Sequence, residues 1–182
     1  MEDAEKCRMT EEEKNRLLRE RAKEFAVEAR VEDAGDGDLG IVEFMLSGER
    51  YGIECEYIRE TCPLKDFTPL PCTPAFVLGV INLRGQVLSV VDIGRFFDLP
   101  CKGITDLNRV IVLSSGALEF GILADEVLGV SLIRDRDIQA SLPTLTGIRA
   151  DYLKGVTNDR ITVLDAEKIL SDKDLIVHEE VA

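Results

Sequence analysis

The chain has 182 residues, a hydrophobic content of 45% and a formal net charge of −13 at pH 7. This length predicts one ordinary domain that buries most of its apolar surface without disulfides, and five cysteines with no Cys-x-x-Cys pair favour free thiols in the cytoplasm. The acidic balance argues against nucleic acid and anionic membrane faces as partners, and no apolar run reaches the roughly 20 residues of a membrane-inserted helix.

Residues 1–40 differ in composition from the rest of the chain, with 13 acidic and 8 basic residues. Thr10 and Glu13 form a capping box, which predicts a helix beginning just after Thr10. A thin apolar stripe then recurs at helical spacing, formed by Leu18, Ala22, Phe25 and Ala29. Residues 31–38 are rich in acids and glycine and predict a flexible linker. We therefore expect a charged N-terminal helix and linker ahead of a folded domain of residues 41–182.

From Ile41 onward the apolar pattern changes to period two, which predicts short strands. Residues 41–46 and 50–55 flank a turn that contains Gly48, and this pattern is typical of a hairpin. Four prolines follow, so the segment from Asp66 to Thr73 is predicted to be a loop or an edge strand.

A second hairpin is predicted around the turn Asn82-Leu83-Arg84-Gly85, which has apolar segments on both sides. The turn carries Arg84 out on its rim. A guanidinium in this setting either pairs with a carboxylate or offers its planar fork to a partner. The alternative is a solvated turn arginine without a specific role.

The second half of the domain repeats the first. Ser115-Gly116 and Phe120-Gly121-Ile122 repeat the pattern of Ser47-Gly48 and Tyr51-Gly52-Ile53, and Gly155 to Asn158 repeats Gly79 to Asn82. Two strand-rich units, of about residues 41–108 and 109–171, explain the repeat, and exchange of strands between them is left open. Each unit has the size of a small closed barrel.

Core positions are expected to agree between the two units, because packing determines them, whereas polar positions are expected to differ. Asp92 and Asp165 occupy equivalent positions, and each is expected to cap a short helix at the end of its unit.

Catalytic and cofactor chemistry is not supported by the residue pattern. His178 is the single histidine and lies in an acidic tail, and no cysteine has an evident base to activate it. Neither a metal-ligand spacing nor a phosphate-binding glycine loop is present in the sequence. We therefore expect no enzymatic activity, no metal and no cofactor.

The segment Pro74-Ala75-Phe76-Val77-Leu78-Gly79-Val80-Ile81-Asn82-Leu83-Arg84-Gly85, preceded by residues 44–53 and Ile58-Arg59-Glu60, resembles the signature of the CheW family. The resemblance covers roughly residues 41–171. It departs from the family at Ser89, where proline is usual. It implies a mostly β fold of two similar five-stranded SH3-like barrels packed together, with short helices. It further implies an adaptor that couples chemoreceptor tips to the histidine kinase CheA without catalysis.

The resemblance also implies a receptor-binding groove between the barrels, with the regulatory domain of CheA bound on another face. The residues implied for the groove are Ile58, Glu60, Gly79, Arg84 and Gly85. Their chemistry fits a helical partner, because Ile58 offers apolar contact, Gly79 permits close backbone approach and Arg84 offers five donors. Glu60 either holds Arg84 in place or binds a basic group of the partner.

Two alternatives remain open at this point. One is a detached regulatory domain of the CheA type, which resembles CheW in fold. The other is a small β-barrel enzyme or ligand-binding protein. The receptor class and the output of the pathway are not indicated by the sequence.

Overall fold

The structure is a computed structural model, and it describes residues 38–100, 103–116, 118–139, 148–172 and 175. The strands in this part of the chain are β1 (Asp38–Leu46), β2 (Glu49–Glu54), β3 (Ile58–Pro63), β4 (Val77–Leu83), β5 (Gln86–Val91), β6 (Arg109–Ser115), β7 (Leu118–Ala124), β8 (Glu126–Arg134), β9 (Leu153–Val156) and β10 (Thr162–Leu164). The helices are α1 (Ile93–Phe96), α2 (Ile148–Asp151) and α3 (Ala166–Ser171).

The predicted N-terminal helix lies outside the described residues. Of the predicted extension, residues 38–40 are described, and they belong to β1, which begins at Asp38 rather than at Ile41. The earlier start follows from pairing with β8, because Asp38 lies opposite Arg134 and its carboxylate is 3.8 Å from the guanidinium.

The strands form two five-stranded sheets, which confirms the predicted fold class. One sheet has the order β8-β1-β2-β10-β9 and the other has the order β3-β6-β7-β5-β4. Most neighbours are antiparallel, but β10 pairs with β2 and β5 pairs with β7 in parallel. Each sheet takes strands from both halves of the chain. We call β1, β2, β8, β9 and β10 the first barrel, and β3 to β7 the second barrel.

Each sheet is closed by one residue that follows its end strand. Thr68, which follows β3, exchanges two backbone hydrogen bonds of 2.8 and 2.9 Å with Val80 of β4. Gln139, which follows β8, does the same with Val156 of β9 at 3.0 and 2.9 Å. Closure of this kind covers the backbone edges that an open sheet leaves unpaired.

Two glycines make this closure possible. A Cβ atom on Gly79 would lie 2.2 Å from the carbonyl oxygen of Thr68, and one on Gly155 would lie 2.3 Å from that of Gln139. Gly79 also has a φ of +141°, which side chains disfavour. The repeated Gly-Val motif of the sequence thus marks the point at which each barrel closes.

The repeat extends to local irregularities. Arg59 is the extra residue of a bulge in β3 opposite β6, and Leu128 is the extra residue of the corresponding bulge in β8 opposite β1. The side chains of Asp92 and Asp165 accept hydrogen bonds from the backbone amides of the residues three positions later, both at 3.1 Å. The predicted helix caps are therefore confirmed.

A large apolar cluster joins the two sheets. Its buried members come from both barrels and from the helices, and they include Phe44, Tyr51, Ile53, Val91, Ile111, Leu113, Ile122, Leu164 and Ile169. A second cluster fills the second barrel and consists of Leu64, Leu78, Ile81, Leu88, Val90, Val110, Val112 and Leu123.

The expectation that core positions agree between the two units is wrong for the barrel interiors. Leu123 pairs with Val110 in the second barrel, and the equivalent partner of Ile41 in the first barrel is Glu54. Lys154 precedes Gly155 in the position that Leu78 has before Gly79, and it pairs with Glu54. An ion pair therefore occupies positions that are apolar in the other copy.

Candidate functional site

The candidate site is built on the β4–β5 hairpin. Leu83 pairs with Gln86, so that Arg84 and Gly85 are the two turn residues, with φ values of 53° and 89°. Positive φ at both positions is the geometry of a type I′ turn, whose twist matches that of the flanking strands. The Asn82 side chain accepts a hydrogen bond of 2.8 Å from the Gly85 amide and fixes the turn.

Arginine is an unfavourable residue at its position in this turn. Asn and Gly are the usual residues at positive φ, and other side chains there cost on the order of 1 kcal/mol. Arg84 retains this conformation, and 78% of its side chain is exposed. Arg160 in the corresponding turn of the first barrel is also exposed and has a φ of 60°, so the turn conformation alone does not distinguish Arg84.

Glu60 of β3 orients the Arg84 side chain. The Nη2 atom of Arg84 lies 2.9 Å from Oε2 of Glu60, whose side chain is only 18% exposed. A pair this open to water stabilises a fold by about 0 to 1 kcal/mol. Its main effect is to hold the guanidinium above the hairpin while leaving other N–H donors available to a partner.

A second arginine ties the same rim together. Arg59 donates hydrogen bonds to Glu119 of β7 and, at 3.2 Å, to Gln86 of β5. Gln86 in turn donates to Glu119 at 3.0 Å, and the Arg59 Nε atom lies 3.9 Å from Glu60. The hydrogen bond to Glu119 and the nearby carboxylates raise the pKa of Arg59 above its ordinary value. The Glu60–Arg84 pair is thus embedded in a network that spans the second barrel.

Ile58 and Glu60 lie on opposite faces of β3, because the bulge at Arg59 reverses the alternation between them. Ile58 lies opposite Leu113 and packs against the inter-sheet cluster, whereas Glu60 lies opposite Val112 of the second barrel. In the described sheets β3 is an end strand, paired with β6 alone. A partner placed along its outer edge could therefore contact both faces.

The five predicted residues have distinct positions. The structure brings Glu60 and Arg84 into contact, with Gly85 beside them in the turn. Ile58 lies on the other face of β3, on the opposite side of the bulge from Glu60. Gly79 is buried, and the Thr68 carbonyl occupies the space that a side chain would need. The close packing of the barrel therefore explains a glycine at this position without any partner.

Sequence reasoning missed Arg59, Gln86 and Glu119 as members of the network. A signal existed for Glu119, which is the one charged residue of the apolar segment Leu118–Ala124. Exposed apolar side chains were also missed, with Val87 in β5 67% exposed and Leu128 in β8 37% exposed.

The thiols of Cys55 and Cys62 are half-buried, and burial raises the pKa of both above the ordinary value. A raised pKa keeps a thiol protonated and a poor nucleophile near neutral pH. Among the described residues no group of three or more His, Cys, Asp or Glu side chains is placed to hold a metal ion. In the same part of the chain no helix is long and apolar enough to cross a membrane.

Comparison with known proteins identifies the family. A family model described as a CheW-like domain matches residues 40–174. Chemotaxis protein CheW of Treponema pallidum (strain Nichols) is 31% identical over 147 residues, which cover 77% of this chain and 86% of that protein. Protein FrzA of Myxococcus xanthus is 35% identical over 133 residues, which cover 70% of this chain and 82% of that protein. The crystal structure of scaffolding protein TtCheW from Thermoanaerobacter tengcongensis matches with a TM-score of 0.66 at 27% identity, over 75% of this chain and 94% of that chain. The chain therefore belongs to the CheW-like family.

Proposed function

We propose that this protein is a chemotaxis adaptor that couples the cytoplasmic tips of chemoreceptors to the histidine kinase CheA, and that it acts as a scaffold without catalysis. The relatives that carry the names chemotaxis protein CheW and scaffolding protein support this function. The observation that carries it in this chain is Arg84, which is exposed and held by Glu60, whereas the corresponding turn arginine, Arg160, belongs to a barrel with Gly129 in place of that carboxylate.

The receptor surface lies along the outer edge of β3 and the adjoining β4–β5 turn. A receptor tip is helical, and a helix in a groove needs apolar anchors together with a charge that sets its orientation. Ile58 and its counterpart Val127 in β8 are partly exposed apolar residues that pack against the inter-sheet cluster. Arg84 and Glu60 supply charge at the rim. The groove of this proposal therefore has β3 and β8 as its walls.

The test of this surface is the substitution Arg84→Ala. Removal of the guanidinium should weaken binding of a receptor-tip fragment by roughly 1 to 3 kcal/mol, as expected when a charged contact to a partner is lost. Binding of the CheA regulatory domain, which we assign to a different face, should change much less. Both affinities can be measured by isothermal titration of the same protein preparation.

Arg160 offers a matched control. It is exposed, has a φ of 60° and lies in the corresponding turn of the first barrel. Arg160→Ala therefore makes the same chemical change outside the proposed receptor surface. This control should bind the receptor fragment like the unchanged protein. Equal losses for receptor and kinase domain, or a loss of secondary structure by circular dichroism, would show that Arg84 has a structural role instead.

A further inference from the structure

The Glu60 carboxylate lies beside two guanidinium groups. Its Oε2 atom is 2.9 Å from Nη2 of Arg84, and its Oε1 atom is 3.9 Å from Nε of Arg59. The first distance is that of a charge-assisted hydrogen bond, whereas the second is too long for one. A carboxylate binds a guanidinium best through two parallel hydrogen bonds, which use both of its oxygen atoms. Arg59 and Arg84 therefore compete for Glu60, and Arg84 has the closer contact.

Glu119 and Gln86 hold the Arg59 guanidinium in its present position. Nη1 of Arg59 donates hydrogen bonds to Oε1 of Glu119 and, at 3.2 Å, to Oε1 of Gln86. Nε2 of Gln86 donates to Oε2 of Glu119 at 3.0 Å, so the three side chains form a closed ring. The Glu119 side chain is only 16% exposed, and water screens an ion pair with a mostly buried partner less than an open one. Glu119 is therefore the main anchor of Arg59.

The first barrel lacks the charges of this arrangement. Its bulge contains Leu128 and Gly129 where the second barrel has an arginine and a glutamate. Arg50 takes the place of Glu119, two residues before the glycine of the repeated aromatic-Gly-Ile motif. The carboxylate that anchors the bulge arginine thus occurs in the same copy as the carboxylate that orients the turn arginine.

We propose that Glu119 is a positioning residue for the proposed receptor contact, because it holds Arg59 away from Glu60 and so leaves that carboxylate to orient Arg84. This inference rests on the proposed function, and it does not require Glu119 to touch the receptor. Among the described residues, Arg59 has ion pairs with Glu119 and Glu60 alone. Without the Glu119 charge, Arg59 moves onto Glu60, and repulsion between the two guanidinium groups turns Arg84 away.

The test is Glu119→Gln, which removes the charge and keeps the shape of the side chain. This variant should bind a receptor-tip fragment about fivefold more weakly than the unchanged protein in isothermal titration, an effect typical of coupled neighbouring residues. Adding Arg59→Ala removes the competing guanidinium, so the double variant Arg59→Ala/Glu119→Gln should recover most of the lost affinity. A residue with only a structural role would show the opposite, because the double variant would have lost two members of the ring.

Glu43→Gln is the matched control. Glu43 is 12% exposed and pairs with Arg50, so the same charge is removed from a similar pair in the first barrel. This control should bind the receptor fragment like the unchanged protein, and the CheA regulatory domain should bind all of these variants equally. A loss of kinase-domain affinity in Glu119→Gln as large as its loss of receptor affinity would overturn the positioning role.

The Arg84 guanidinium itself gives a readout that needs no receptor. Rotation about its Nε–Cζ bond, measured by nuclear magnetic resonance, should be slow in the unchanged protein, because the ion pair with Glu60 restrains it. Rotation should be faster in Glu119→Gln and slow again in the double variant. Equal rotation in all three proteins, unchanged receptor affinity in Glu119→Gln, or a double variant that binds no better than Glu119→Gln would each overturn the inference. If no form of the protein binds the receptor fragment, the proposed function fails, and the rotation comparison alone decides whether Glu119 positions Arg84.

Discussion

The second barrel is filled by apolar side chains, whereas the first barrel has an ion pair at equivalent positions. Leu123 and Leu78 pack inside the second barrel, and Glu54 and Lys154 take their places in the first. Glu54 is only 6% exposed, while the Lys154 side chain is 39% exposed and reaches the surface. The hydrogen bond to Glu54 raises the pKa of Lys154 above its ordinary value, so Lys154 stays charged near neutral pH.

The same backbone topology therefore accommodates an apolar barrel interior in one copy and an ion pair at the equivalent positions in the other. The inter-sheet cluster takes residues from both barrels, so each barrel is supported from outside as well as from within. The proposed site lies on the rim of the apolar barrel, and Arg84 has a positive φ there, as Arg160 has in the corresponding turn of the first barrel. The first barrel presents an exposed arginine at its corresponding turn but has Gly129 in place of Glu60. The carboxylate that orients the arginine is thus particular to one copy.

The largest expected effect concerns the two closing glycines. Gly79→Ala combines a positive φ with a clash against the Thr68 carbonyl, and we expect it to lower the free energy of unfolding by about 4 kcal/mol. Gly155→Ala produces a similar clash without the positive φ, and we expect a loss of about 2 to 3 kcal/mol.

Urea denaturation followed by circular dichroism measures both changes. Gly103→Ala is the control, because a Cβ atom there has no neighbour within 4 Å. Losses as small as that of the control would mean that neither closing bridge is required for stability. A larger loss for Gly155→Ala than for Gly79→Ala would contradict the ranking by backbone conformation.

A smaller effect is expected for the ion pair of the first barrel. Lys154→Leu leaves the buried Glu54 carboxylate without its cation and should cost about 2 kcal/mol, less than for fully buried pairs because Lys154 is partly exposed. The double variant Glu54→Leu/Lys154→Leu reproduces the leucines of the second barrel. Its free energy of unfolding should be within about 1 kcal/mol of that of the unchanged protein, since apolar replacement of both partners is often neutral.

The same denaturation measurement checks this prediction. Lys168→Leu is the matched control, because Lys168 pairs with Asp165 at 3.1 Å and is 57% exposed, so that its loss should cost little. If the double variant is less stable than Lys154→Leu, the polar filling is required by the first barrel, and the two barrels are not interchangeable in this respect.

Strand periodicity and turn glycines act locally, so the residue pattern predicted the duplication and the two hairpins, and the family resemblance supplied the two packed five-stranded barrels. The residue pattern singled out Arg84 and the family resemblance added Glu60, although their contact joins a turn to a distant strand. Neither predicted that Ile58 and Glu60 lie on opposite faces of β3, because a bulge depends on the pairing of two strands rather than on one segment. The family resemblance assigned Gly79 to partner contact, with its lack of a side chain as support, and the structure uses that same property to close the barrel.

The difference between the barrel interiors escaped prediction for a related reason. Glu54 ends an apolar strand segment and Lys154 lies in a short one, and nothing in either segment indicates that the two side chains meet. Their pairing joins β2 to β9, which are not neighbours in the sheet. Only the closed barrel brings them together.

The smallest expected effect is a pH dependence that belongs to the first barrel. Glu43 occupies the position of Val112 and pairs with Arg50 at 2.6 Å. Burial acts to raise the pKa of Glu43, but the hydrogen bond from Arg50, the Ser131 hydroxyl and the charge of Arg50 together outweigh it and hold the pKa below the ordinary value of 4.5. A lowered pKa in the folded state means that stability is present above about pH 4.5 and is lost as the pH falls through the folded value.

We therefore expect acidification from pH 6 to about pH 3 to remove less than about 1 kcal/mol through this pair. Glu43→Val, which copies the second barrel, should lose that part of the pH dependence, and Arg50→Met should lose it as well because the cation is gone. Denaturation series at several pH values measure how the free energy of unfolding changes with pH. Parallel curves for Glu43→Val and the unchanged protein would show that Glu43 contributes nothing to acid sensitivity. A flattened curve for Glu43→Val alone would assign the effect to partners other than Arg50.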